Sequence, residues 1–543
     1  MLDIAPSALR ALWPQSQILL NSTLVSLGVE HAGTDGPLSC IRGALSRGER
    51  ISVAAVGGSI TAGSSYAAGS GSAATFLYHR KVAMALDARF PVTAGHGHLN
   101  GGVPGTGPTY MEHCVHDHLP SDVQLVLLEY AVNTDRRPAA FERLLRTILL
   151  HPRRPALIVV NAHRWRAVRP HDGRTDKCWH KNWPVDMAKN RTQWLAQSAG
   201  RRRDVSDLLA ADEDAIYELC RHYNVPLVSM RAALVDAVRS GTIAIPTFMN
   251  DCKHPTGVGH TFLAQLILHR LLHAPGASSD ADAATHAADA AALSESSSSS
   301  RDSSSNLCAT SQAPAQLASP YNRGEGREMA SSVCARGDQL ARYLDRSARS
   351  EFNLTDEGRG KGKLGYVAFG VGKAISFCLP WPSRSGADGG GRRKPPSVLW
   401  IGFLRSYEHM GRARVTCSGA CSCAADVIDG HDIKDGVSVT DVRRIGLRPN
   451  RGILGAALGA SDECCRVRLE IASGTTSGEH KFKVMSLLLG GADANGLQVF
   501  SLRVAASASE APKPRARRGG GRKRAARAAK REAARAAADG PAE

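Results

Sequence analysis

An α/β fold with a parallel sheet, followed by a separate β-rich domain, is the class that this 543-residue sequence predicts. Three observations predict it. Apolar runs of strand length alternate with helix-like stretches from Ile51 to His273. A stretch of Ala, Ser and Asp without large apolar residues then interrupts the chain, and beyond about residue 307 short strand-like runs follow one another with no long helix between them. A chain of this length exceeds one ordinary core, so two or three domains are expected.

Residues 1–45 carry mixed signals and read as an amino-terminal extension packing on the first domain. Within 46–273 the runs "ISVAAV", "VQLVLLEYAV", "ALIVVNAH" and "VPLVSM" alternate with helix-like stretches at 74–90, 138–150, 204–223 and 255–273. Short, continuously apolar strands separated by helices imply a doubly wound parallel sheet covered on both faces. Residues 274–306, "APGASSDADAATHAADAAALSESSSSSRDSSSN", cannot bury a core and read as a flexible linker. Residues 1–273 therefore read as a separable unit. From 307 to 505 the runs "LGYVAFGV", "SVLWIGFLRSY", "RARVTCSG", "GVSVTDV", "CRVRLEI", "HKFKVMSLLL" and "LQVFSLRV" are punctuated by Gly, Pro, Asp and Ser, the spacing of a β-sandwich or jelly roll. The segment 506–543 is rich in Ala, Arg and Lys, has no apolar stripe, and reads as a disordered basic tail.

The formal net charge of +18 is unevenly placed. Between Pro512 and Glu543 eleven Lys/Arg stand against three Asp/Glu, so +8 sits in the tail and +10 is spread over the rest. The folded part thus carries no specific nucleic-acid signature, and the tail is suited to anionic polymers or surfaces. No run reaches the roughly 18 apolar residues of a membrane-spanning helix. The start, "MLDIAPSALRALWPQSQILLNSTLV", lacks the pattern of a secretory signal. Thirteen cysteines, five of them crowded at Cys417, Cys421, Cys423, Cys464 and Cys465, nevertheless point to disulfides and an oxidising compartment, as do sequons at Asn21, Asn190 and Asn353. Zinc is disfavoured because regular Cys-x-x-Cys pairs are missing and Cys421-x-Cys423 is too tight. "IDGHD" at 428–432 lacks an EF-hand spacing and reads as a β-turn. No metal and no cofactor is assigned.

Chemistry enters at "VAAVGGSITAG", residues 53–63, where a strand stops at two glycines and presents Ser59. A serine hydroxyl needs a base to accept its proton and donors to hold the oxyanion. "MNDCKHPTGVGH" at 249–260 places Asp251 three residues before His254, with Pro255 disfavouring a helical His254 and suited to the first position of the following helix. "NGGVPGTGPTY" at 100–110 is a glycine loop able to bring a backbone N–H near a reacting oxygen, and "LLEYAVNTDRR" at 127–137 closes an apolar strand at Asn133.

The order of these blocks resembles that of the SGNH (GDSL-type) hydrolases over roughly residues 50–273. The resemblance implies a flavodoxin-like αβα sandwich. It also implies Ser59 as nucleophile, His254 as general base and Asp251 as its orienter, with an oxyanion hole of the Ser59 and Gly105 N–H groups and the Asn133 amide. Gly105 rather than Gly102 matches the family's spacing from Asn100. Gly58 and Thr134 depart from it, since many members have Asp at both places. The β-domain loosely resembles β-rich companions of such domains in algal and plant-like proteins, and its Trp381, Trp400 and Tyr407 read either as core or as sugar-stacking residues. The implied activity is ester hydrolysis through an acyl-enzyme, with an acylated polysaccharide as partner. The alternatives are acyl transfer to a sugar hydroxyl and an inactive glycan-binding protein.

Overall fold

Strands rich in Val, Leu and Ile build the first sheet. The structure is a computed structural model that describes residues 4–14, 18–63, 76–134, 138–165, 206–251, 253–274, 319–321, 331–356, 363–381, 398–432, 438–450 and 464–490. Its first sheet contains β1 (Val29–His31), β2 (Ser52–Gly57), β3 (Gly97–Asn100), β4 (Leu125–Glu129), β5 (Ala156–Asn161) and β6 (Leu227–Ser229) in the order β1-β6-β5-β4-β2-β3. Strands β2 to β6 are parallel and β1 is antiparallel to β6. Every residue of β2, β4, β5 and β6 is buried, the condition of strands covered on both faces. Counted in order of occurrence, the parallel strands run 2-1-3-4-5. That order reverses between β2 and β4, and sheets of this kind hold ligands beyond the carboxyl ends of the strands at the reversal.

The helix-like stretches appear as Tyr78–Arg89, Pro138–Leu149, Ser206–His222 and Gly257–Leu272. Further helices, among them Gly36–Ser46, Pro108–Cys114 and Met230–Arg239, were not anticipated. The first 45 residues supply β1, and Leu9, Trp13, Leu38 and Ile41 share a core with β2 and the helix Gly257–Leu272. The strand expected to close at Asn133 ends earlier, at Glu129. Asn133 stands in the turn beyond it, its N–H donating to the Tyr130 carbonyl at 2.9 Å.

Among the described residues, the strand pairs of the second part are all antiparallel. It contains β7 (Ser331–Arg336), β8 (Asn353–Asp356), β9 (Leu364–Phe369), β10 (Ala374–Pro380), β11 (Val398–Arg405), β12 (Arg412–Gly419), β13 (Cys421–Ser422), β14 (Asp426–Asp429), β15 (Val439–Gly446), β16 (Arg448–Pro449), β17 (Cys464–Ile471) and β18 (Lys481–Gly490). One sheet runs β10-β17-β12-β14 and the other β15-β11-β18-β9-β8, with β7 also against β18. Phe377, Val415 and Leu469 of the first meet Leu399, Ile401 and Phe482 of the second in one core. Disulfides Cys378–Cys464, Cys417–Cys423 and Cys421–Cys465 staple this domain, and Cys220 is a buried free thiol. The expected run at 497–504, residues 275–306 of the expected linker and the basic tail lie outside the described residues.

The two parts are joined by more than a linker. Cys114 at the end of the helix Pro108–Cys114 is disulfide-bonded to Cys334 of β7. Trp400 is 4% exposed, shares a core with Tyr110 and Met111, and lies 4.0 Å from the His113 ring. It is therefore a junction residue and is not available to stack on a sugar. Trp381 packs against the β-domain core, whereas Tyr407 is exposed.

Candidate active site

At the reversal of strand order, β2 ends at Gly57 and Gly58 leads into the short helix Ser59–Ala62. A Cβ at Gly58 would lie 2.5 Å from Asn133 Oδ1 and 3.3 Å from the Thr106 carbonyl oxygen. A Cβ at Gly107 would lie 2.5 Å from the Asn133 carbonyl oxygen. Three segments, from the ends of β2, β3 and β4, thus converge too closely for side chains at either glycine.

His254 reaches the same place from a pinched loop. Met249 forms a β-bridge with Pro255, Asn250 donates its N–H to the His254 carbonyl at 2.8 Å, and Thr256 donates its N–H to the Phe248 carbonyl at 2.9 Å. Pro255 is spent in this bridge and does not occupy the first helical position. The helix begins instead at Gly257, because the Thr256 hydroxyl accepts the Gly259 N–H and caps it. Inside the loop, Asp251 Oδ1 accepts the N–H groups of Lys253 at 2.7 Å and His254 at 2.8 Å. Its Oδ2 lies 2.7 Å from His254 Nδ1, and His254 Nε2 lies 2.8 Å from Ser59 Oγ. Burial alone would raise the Asp251 carboxyl, but the hydrogen bond and charge of His254, with the two backbone N–H groups, hold it below the ordinary carboxylate value. An imidazole so held, with Nδ1–H toward a carboxylate, leaves Nε2 able to accept a hydroxyl proton.

Uncommitted donors lie on the same three segments. Among the described residues no partner is found for the backbone N–H of Ser59, the backbone N–H of Gly105 or the Asn133 Nδ2, whereas Asn133 Oδ1 is buried against Gly58. Gly105, at φ +71°, is the third residue of the turn Val103–Thr106, closed by the Thr106 N–H on the Val103 carbonyl at 3.4 Å. Pro at the second position and a left-handed Gly at the third is the pattern of a type II turn. Ser59 and Asp251 each contact His254, Asn133 abuts Gly58, and Gly105 lies in the loop whose Thr106 and Gly107 approach Gly58 and Asn133.

The chain matches no family model and no curated protein. It is similar to the solved structure of a two-domain esterase active on acetylated mannans, at 16% identity and a TM-score of 0.50, covering 87% of this chain and 99% of that one. The same esterase co-crystallised with mannopentaose gives a TM-score of 0.49 at the same identity and coverage. The chain shares the first structure's fold. That fold is a mixed sheet of mostly parallel strands with helices, followed by antiparallel sheets.

One residue of the site went unread in the sequence. Glu129, the last residue of β4, is 0% exposed beneath the Ser59 turn. Burial pushes its carboxyl up to about 8, while the Thr61 hydroxyl at 3.4 Å and the Gly58 N–H draw it back. Thr61 Oγ1 also lies 2.9 Å from the Tyr78 hydroxyl, and His79 Nε2 lies 2.9 Å from the Thr61 carbonyl. The short helix that carries Ser59 is therefore held from beneath by a buried polar cluster. A signal was present, since a lone acid in the apolar run "VQLVLLEYAV" is a charge that the pattern buries. A cavity of about 120 Å³ is lined by Val103 and Pro104 of the glycine turn and by the β-domain residues Arg336 and Asp338.

Proposed function

We propose that the protein is a serine esterase of the SGNH type that removes acetyl groups from a glycan. Ser59 Oγ attacks the ester carbonyl carbon as His254 Nε2 takes its proton. The N–H groups of Ser59 and Gly105 and the Asn133 amide stabilise the negative charge on the carbonyl oxygen. Collapse of the tetrahedral species breaks the bond to the sugar oxygen, which leaves with the proton from His254. Water, deprotonated by His254, then attacks the acyl-serine, and the second tetrahedral species breaks its bond to Ser59 Oγ, which takes the proton back from His254 as acetate leaves. Asp251 keeps the imidazole in the tautomer with Nδ1–H and stabilises its cation.

The observation that carries this function is the unbroken Asp251–His254–Ser59 relay, with links of 2.7 and 2.8 Å, placed at the reversal of strand order beside three uncommitted donors. A glycan acetate is the favoured ester because the chain shares its two-domain fold with an esterase active on acetylated mannans. Acetate release from acetylated mannan tests the proposal, with Ser59→Ala as control. Release by the wild type and none by the variant is expected. Hydrolysis of nitrophenyl acetate without release from mannan would contradict the mannan substrate, and inactivity toward both would contradict the esterase.

A further inference from the structure

Among the described residues, one backbone hydrogen bond joins the β-domain to the glycine turn. Among the described residues β15 is the edge of its sheet, paired with β11 alone. Such an edge leaves backbone groups without a strand partner. The Thr440 N–H on this edge donates to the Gly105 carbonyl at 2.8 Å. Lys363 closes over the contact, since its Nζ donates to the Ser438 carbonyl at 3.0 Å and its Cε would lie 3.7 Å from a Cβ at Gly105. Beyond the turn, the Cys114–Cys334 disulfide ties the following helix to β7.

The other end of the turn is anchored on the α/β side, where the Val103 N–H donates to the Gly57 carbonyl at 2.9 Å. Between these anchors stand Pro104, whose φ is fixed, and Gly105, whose backbone is the most permissive in the loop. The Gly105 N–H lies in the Pro104–Gly105 peptide plane, which is held through the planes on either side of it, and the later of these, Gly105–Thr106, carries the carbonyl that Thr440 holds. We infer that Thr440 is a positioning residue for the esterase site: its N–H holds the Gly105 carbonyl so that the Gly105 N–H is aimed at the oxyanion, which rests on the role proposed above for Gly105. The β-domain is thus part of the site's construction. A misaimed donor weakens the transition state more than the bound substrate.

Full-length wild type, Thr440→Pro and Thr440→Ala are compared with nitrophenyl acetate and with a fluorophosphonate probe of Ser59. Thr440→Pro, which lacks the N–H, is expected to lose between about tenfold and 10²-fold in kcat with little change in KM. Thr440→Ala, which restores the N–H, is expected to restore kcat. A folded Thr440→Pro protein that turns over like Thr440→Ala overturns the inference, and so does a change confined to KM. If Thr440→Pro does not fold, amide hydrogen exchange of the wild type decides. A protected Thr440 N–H supports the contact, and exchange at the rate of an open edge overturns it. Failure of the wild type itself to label at Ser59 overturns the esterase and this inference together, whereas normal labelling of wild type and Thr440→Pro alike overturns the inference alone.

Discussion

In the proposed mechanism, Asn133 is what separates this site from a bare Ser–His pair. Its Oδ1 is buried against Gly58, which leaves the Nδ2 side of the amide to act as a donor. Asn133→Ala is expected to lower kcat by about 10²–10³ with KM little changed, because the Ser59 and Gly105 N–H groups remain. Steady-state kinetics check this, and a folded variant with wild-type kcat would remove Asn133 from the oxyanion hole. Glu129 gives a prediction on stability. Its folded value of about 8 lies above the ordinary 4.5, so between those values the folded chain holds a proton that the unfolded chain releases. The stability it contributes is full below 4.5 and is lost as pH rises through about 8. Glu129→Gln cannot ionise, so its urea midpoint should gain on the wild type as pH rises over that range. Parallel curves would contradict a neutral Glu129. Asp251 and His254 were legible in the sequence because their contact spans three residues. The part played by Glu129 was not, because it depends on burial beneath a turn that only the fold creates.

Element ends, more than element centres, decide where the site residues stand. The apolar strands β2, β4 and β5 were readable from composition, yet β4 stops at Glu129 and the next four residues turn, which is what lays Asn133 against Gly58. Hydrophobicity continues through Tyr130–Val132 because these residues are buried in the turn, so the strand end left no mark in the sequence. The helix Gly257–Leu272 shows the same limit, since Pro255 suggested a start two residues too early. Thr256 caps that helix, and its hydroxyl also donates to the Thr247 carbonyl at 3.0 Å. Thr256→Ala should therefore lower stability by about 1 kcal/mol, measured as a shift of the urea midpoint at constant slope. An unchanged midpoint would show that the cap contributes nothing to the loop carrying His254. The short strand β1 was missed because its three residues, Val29–His31, are too few to show a period and are half-buried at a sheet edge.

At the scale of the whole molecule, the change from parallel to antiparallel structure was plain from the spacing of the apolar runs, but the junction was not. Cys334 lies 220 residues from its partner Cys114, and nothing local in either segment marks the pair. Trp400 reads in sequence as one more strand residue and proves to be where the β-domain packs on the helix beyond the glycine turn. The two domains thus hold opposite ends of one loop, with the Ser59 relay between the strand ends on the α/β side. The most direct test of that relay is fluorophosphonate labelling of the folded full-length protein, read by intact mass and peptide mapping, beside Ser59→Ala and His254→Ala. An activated serine predicts one adduct per chain on Ser59, no adduct in Ser59→Ala, and labelling slowed by orders of magnitude in His254→Ala. A folded wild type that takes up no probe, or a Ser59→Ala protein that still takes it up, would contradict the account.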